Sequence, residues 1–166
     1  MWRFYFALVI AFVGFPAQAE DWVEMEAVQA MPFTAPFPLA TEIALYAVSL
    51  TGTPYKFGGE NPSTGFDCSG FIRHVFREVT GVILPRSARA LSLAVKRIPS
   101  SELQAGDLVF YDTLKQTYSH VGIYLGNDQF IHAASTGRTT QISSTTDAYW
   151  IKRFNGAGRL LDALSP

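Results

Sequence analysis

The chain has 166 residues, 48% hydrophobic and 16% charged, which excludes a largely disordered protein and fits one ordinary globular domain. Its formal net charge of −1 gives no reason to expect nucleic acid as a partner. The single cysteine, Cys68, excludes an intrachain disulfide, so the fold must rest on its apolar core.

The first nineteen residues read as a signal peptide: Arg3, an apolar run from Phe4 to Val13, Pro16, and the small-residue site Ala17-Gln18-Ala19. The run is too short for a membrane span, which needs about 20 residues, so no stable membrane insertion is expected once it is removed. The alternative is an uncleaved anchor. No cysteine follows the run, so lipid attachment there is not expected. In an exported protein a lone thiol is a liability unless it is used. Residues 20–39, with Pro32, Pro36 and Pro38, read as an extended lead-in too short to fold alone.

A short helix is expected over residues 41–50, with Ile43, Ala44, Ala47 and Val48 on one side. Residues 52–65 are rich in glycine and proline and form a loop. A stronger helix follows. Phe71, Ile72, Val75, Phe76 and Val79 recur at helical intervals, Asp67 is an N-cap type, and Gly81 is a stop. Cys68 therefore sits in the first turn with its sulfur facing inward. Arg73, His74, Arg77 and Glu78 form the polar face, where His74 is expected to be solvated. A third helix is expected over residues 88–95, ended by Ile98-Pro99.

The period then changes. Strands are expected over residues 107–111, 120–125, 129–133, 139–143 and 149–154. Helices first and antiparallel strands after argue for α+β, with N-terminal helices packed on a sheet of about five strands. In the central hairpin, a three-residue loop centred on Asn127 makes paired residue numbers sum to 254, so that Ile123 faces Ile131 and Gly122 faces His132. His120 and His132 then share one face, with open space beside His132 at Gly122. Val121, Ile123, Leu125, Ile131 and Ala133 form the other, apolar face. A two-residue turn would shift the pairing by one and separate the histidines.

A free thiol with a pKa of about 8.5 is only slightly ionised at neutral pH. Lowering that value by two units needs roughly 2.7 kcal/mol. A helix N-terminus supplies about 0.3–1 kcal/mol, and Asp67 opposes the change if ionised. A reactive Cys68 therefore needs a partner, most naturally a histidine, and the helix tip is expected to present the thiol to the face bearing both rings. In one reading His120 takes the thiol proton and His132 fixes the tautomer of His120. The other readings are a zinc site, for which no close-spaced ligand pair is present, and an inert buried cysteine.

Several blocks occur in order: Gly52-Thr53-Pro54-Tyr55-Lys56-Phe57-Gly58-Gly59, Phe66-Asp67-Cys68-Ser69-Gly70, Leu84-Pro85-Arg86-Ser87, Gly106-Asp107-Leu108-Val109-Phe110, Ser119-His120-Val121-Gly122 and Phe130-Ile131-His132-Ala133. Over residues 40–160 the chain closely resembles the NlpC-type cell-wall cysteine peptidases, a papain-like group. The resemblance implies Cys68 as nucleophile, His120 as general base and His132 as orienting residue. It places Asp67 and Ser69 in the substrate pocket, Tyr55 near the oxyanion, and Ser119 in the same pocket. It implies action on peptidoglycan peptides; with the signal peptide, the protein is expected to be an exported, periplasmic or wall-associated monomer without cofactor or metal. The bond cut is then the γ-D-glutamyl–diamino acid bond or the D-alanyl–diaminopimelate cross-link. A papain-like amidase or acyltransferase, or a non-catalytic wall-binding protein, are the alternatives. Gln104 and Leu91 depart from the family pattern, which has proline and often glutamine there; the second leaves subsite preference open. Residues 161–166 form a tail.

Overall fold

The computed structural model describes residues 38–113, 116–136 and 138–160. The expected signal peptide, nearly all of the lead-in and the tail lie outside the described residues.

The chain begins with α1 (Leu39–Ser49) and a two-strand ribbon, β1 (Glu60–Asn61) and β2 (Gly65–Phe66), and continues into α2 (Cys68–Thr80) and α3 (Ala88–Ala94). The main sheet is built from β3 (Lys96–Ile98), β4 (Leu108–Tyr111), β5 (His120–Gly126), β6 (Gln129–Ala134), β7 (Thr139–Ser144) and β8 (Phe154–Arg159). A one-turn helix, α4 (Ala148–Ile151), precedes β8. The strands run antiparallel in the order β3-β8-β4-β5-β6-β7. The α+β class stands, with six strands in place of about five.

One expectation near the C-terminus is corrected. Residues 149–154 do not form a strand: the Asp147 side chain accepts from the Tyr149 N–H at 2.7 Å and caps a helical turn that carries Tyr149 and Trp150. The last strand starts at Phe154 instead and runs through Gly156 and Gly158. Gly158 is needed for packing. A Cβ there would stand 2.2 Å from a methyl of Val95, so only glycine lets β8 lie against the chain entering β3.

The hairpin reconciles two expectations that excluded each other. Ile123 pairs with Ile131 and Tyr124 with Phe130, the register that puts both histidines on one face. Yet the turn has two residues, Asn127 and Asp128, both at positive φ (50° and 56°), the backbone of a type I′ turn. A bulge between Tyr124 and Gly126, with Gly126 opposite Gln129, absorbs the extra residue. The gap expected at Gly122 is filled: a Cβ there would lie 2.6 Å from the Phe130 ring and 2.8 Å from the Ile131 carbonyl oxygen.

The two faces of the sheet carry different cores. Leu108, Phe110, Val121, Ile123, Ile131 and Ala133 pack under α1 and α2 with Ile43, Ala47, Phe71, Ile72, Val75 and Phe76. Each fully buried large apolar side chain here is worth about 1.5–3 kcal/mol relative to exposure. The alternate residues Val109, Tyr111, Tyr124 and Phe130 form a smaller cluster on the other face, against Trp150. Among the described residues no helix is long and apolar enough to cross a membrane.

Candidate active site

Helix α2 starts where its cap dictates. The Asp67 carboxylate accepts from the Gly70 N–H at 2.7 Å, making Cys68 the first helical residue, and Gly81 closes the helix in the left-handed conformation. Burial pushes the Cys68 thiol up to about 11, and the Asp67 charge adds to the rise. The backbone N–H groups of Ser69, Val121 and Cys68 itself act the other way. The Val121 contact locates the sulfur at the point where the chain enters β5, one residue beyond His120.

This placement corrects one expectation. The helices lie on the sheet face opposite the histidine rings, so α2 does not present sulfur across that face. It brings Cys68 to the end of the strand that carries His120.

Both histidines are buried, with His120 8% and His132 1% exposed. Nε2 of His120 and Nδ1 of His132 share a hydrogen bond of 2.8 Å, and Nε2 of His132 is 3.0 Å from the Ser143 hydroxyl. Trp150 stacks on His120 at 5.7 Å between ring centroids and 21° between planes, and meets His132 edge-on at 4.9 Å. Phe130 stacks on the other imidazole at 4.9 Å and 26°. Burial holds His120 down at about 4 and His132 down at about 3, the second helped by its neighbour. Burial thus favours the neutral form of the thiol and of both imidazoles.

One nitrogen of each imidazole is tied to the other ring. Among the described residues no group of three or more histidine, cysteine, aspartate or glutamate side chains is arranged to hold a metal.

A cavity of about 950 Å³ opens beside the sulfur and is lined by Tyr55, Asp67, Cys68, Ser69, Arg86 and Ser119, among others. Tyr55 reaches it through a bridge between its backbone and Phe66. Burial and the nearby Cys68 and Asp67 raise the Tyr55 phenol, which keeps its proton available for donation. The Ser119 hydroxyl accepts from the Thr113 N–H at 2.9 Å. Asp67 and Ser69 are already engaged. Arg86 donates to both Asp67 oxygens, at 3.0 and 2.6 Å, and to the Ser69 hydroxyl at 2.8 Å, while also pairing with Glu60. Arg86 was visible in sequence only as part of Leu84-Pro85-Arg86-Ser87 and carried no assigned role. A second cavity, of about 380 Å³, lies on the histidine side and is lined by His120, His132, Gln141, Tyr149 and Trp150, among others. Trp150 was missed because its segment read as a strand.

The expected solvation of His74 is also corrected. It is 6% exposed, 3.1 Å from the Tyr46 hydroxyl and 5.1 Å between centroids from Phe66, because α1 covers that side of α2.

Residues 52–159 match the model of the NlpC/P60 family. Over 110 residues the chain is 46% identical to the murein DD-endopeptidase MepS/murein LD-carboxypeptidase of Escherichia coli K12, a match covering 66% of this chain and 57% of that protein. Over 133 residues it is 38% identical to the gamma-DL-glutamyl hydrolase of Bacillus subtilis strain 168, covering 80% and 31%. The chain thus spans about a third to just over half of the length of these relatives. The crystal structure of an NLP/P60-family protein from Staphylococcus aureus Mu50 superposes with a TM-score of 0.67 at 34% identity, covering 76% of this chain and 42% of the other. The fold, the thiol at a helix start, the two bonded imidazoles, and a family match over most of the described residues agree: the chain belongs to the NlpC/P60 family.

Proposed function

We propose that this chain is an exported hydrolase of peptidoglycan stem peptides that works by acyl transfer through Cys68. His120 is the general base and His132 its orienting partner. The observation that carries this reading is the His120–His132 hydrogen bond: it occupies Nε2 of His120 and leaves Nδ1 for the thiol at the entry to β5.

A neutral resting set defines the sequence of proton movements. As sulfur attacks the substrate carbonyl carbon, the thiol proton passes to Nδ1 of His120. The Tyr55 hydroxyl and the Cys68 backbone N–H donate to the oxyanion of the tetrahedral intermediate. Collapse breaks the C–N bond, and the leaving amine takes the proton from His120. Water then attacks the thioester, giving its proton to His120, and release of the carboxylic acid returns the proton to sulfur. Asp67 and Ser69, held by Arg86, line the wall that receives the acyl half of the substrate. The basic–apolar–small pattern of the first nineteen residues supports export to the periplasm or wall, and the name of the Escherichia coli relative favours the D-alanyl–diaminopimelate cross-link as the bond cut.

The test is digestion of purified peptidoglycan by the full chain, with mass analysis of released fragments. Loss of cross-linked dimers is expected. Iodoacetamide, Cys68→Ala and His120→Asn should each abolish release, His132→Asn should keep a fraction of it, and EDTA should have no effect. Activity that survives alkylation but not EDTA removes the thiol mechanism. Release at the γ-D-glutamyl bond instead keeps the mechanism and moves the substrate assignment.

A further inference from the structure

A neutral imidazole carries one N–H, so two bonded imidazoles can order their protons in two ways. In the first order, His120 donates from Nε2 to Nδ1 of His132, and His132 donates from its own Nε2 to the Ser143 hydroxyl oxygen. Nδ1 of His120 is then bare. In the second, the Ser143 hydroxyl donates to Nε2 of His132, His132 donates from Nδ1 to Nε2 of His120, and Nδ1 of His120 carries the proton. Only the first order leaves His120 able to take a proton at Nδ1. The distances, 2.8 Å between the rings and 3.0 Å to Ser143, fit either order.

We propose that Ser143 is a positioning residue of this site: its hydroxyl oxygen accepts from Nε2 of His132 and selects the proton order that makes His120 a base. Three observations carry the assignment. Both rings are held by aromatic packing, His120 under Trp150, and His132 between the face of Phe130 and the edge of Trp150. What remains free is the placement of protons. The second order also fails once charge develops on His120. An imidazolium there holds protons on both nitrogens, and its Nε2–H would face the Nδ1–H of His132 across 2.8 Å. In the first order every donor points the same way, from His120 through His132 to Ser143, before and after proton transfer. Finally, Ser143 lies on β7 directly across from Phe130 in the β6 ladder, so the sheet register that places His132 places the hydroxyl as well.

The proposal rests on the reading of Cys68, His120 and His132 as the reacting set, and its test has one arm that needs no substrate. The full chain is labelled with ¹⁵N-histidine, and the imidazole nitrogen shifts are recorded at neutral pH. Both His120 and His132 should show the Nε2–H tautomer. Ser143→Ala removes the acceptor and should raise the Nδ1–H population of His132, lower the rate of Cys68 alkylation by iodoacetamide about tenfold, and lower kcat about tenfold with KM little changed. Ser143→Thr should restore all three. A wild-type spectrum with His132 in the Nδ1–H form overturns the proposal without any variant. So does a folded Ser143→Ala protein whose tautomers and alkylation rate match wild type, whatever its activity. If the tautomers behave as expected but peptidoglycan is not cut, the substrate assignment fails and the role of Ser143 stands.

Discussion

Cys68 is flanked by a carboxylate that opposes its ionisation, and that carboxylate is the residue that starts its helix. Arg86 pairs with that carboxylate from the cavity side, yet the Asp67 charge still adds to the rise of the thiol. Local signals were enough to locate the cysteine, its cap and the stop at Gly81. The role of Arg86 was not legible, because it depends on a loop folding back across nineteen residues to meet Asp67. The same burial that keeps the thiol protonated makes stability depend on pH. An unfolded chain protonates its histidines near pH 6.5, whereas His120 waits until about 4 and His132 until about 3. Between those values the unfolded state holds more protons, so stability falls as pH falls. His120 alone accounts for a loss on the order of 3 kcal/mol between neutral pH and pH 4, and burial of His74 acts in the same direction. At the other end, the contribution of Cys68 is complete below the free-thiol value of about 8.5 and is lost as pH rises through about 11. Urea melts at about pH 7, 5.5 and 4.5 check the acid limb. A midpoint that does not move over that range contradicts the buried, neutral histidine pair.

The hairpin of β5 and β6 decides whether the histidines meet at all. Alternation of apolar residues was the correct guide to its register, since Val121, Ile123, Ile131 and Ala133 had one core to enter. The turn length was misread, because a bulge is a backbone device with no side-chain pattern of its own. The strand at residues 149–154 failed for a related reason: aromatic content suited a strand, but the Asp147 cap prevailed over the short range involved. Gly122 tests how tightly the hairpin is set. Alanine there would press on the Phe130 ring and on the Ile131 carbonyl, and Phe130 is the ring that stacks on His132. Gly122→Ala should destabilise the protein by about 1–3 kcal/mol through overpacking, and should lower kcat more than it raises KM because it displaces the orienting imidazole. Thermal melts together with steady-state kinetics separate the two effects. A variant with wild-type stability would mean that the hairpin yields and that the close packing is not a constraint.

Across the whole described region, the site and the anchor of the sheet occupy opposite ends of the same strands. His120 pairs with Tyr111 at the end of β4, whereas Leu108 at its start pairs with Ile123 and Gly158. Just before Leu108, the Asp107 carboxylate is 1% exposed and accepts from Arg159 at 2.7 and 2.8 Å and from the Gln104 N–H at 2.7 Å. Arg159 also donates to the Glu102 carbonyl at 3.0 Å, which ties the last residue of β8 to the turn before β4. No sequence pattern announces this pair, because its members are fifty-two positions apart. Removing one partner leaves a buried charge without compensation, which costs about 3–5 kcal/mol. Arg159→Met should therefore lower Tm by roughly 10 °C, taking about 2–4 °C per kcal/mol for a chain of this size. The unfolding should stay a single transition, since α1, α2 and the central strands share one core. Because the lesion lies at the far end of β4 and β5 from His120, kcat/KM measured well below the new Tm should stay within about twofold of wild type, a difference below 0.5 kcal/mol. Calorimetry and kinetics on the same preparation decide the point. A large loss of activity in the folded variant would mean that the sheet transmits strain along its strands to the histidine pair, and that anchor and site are not independent.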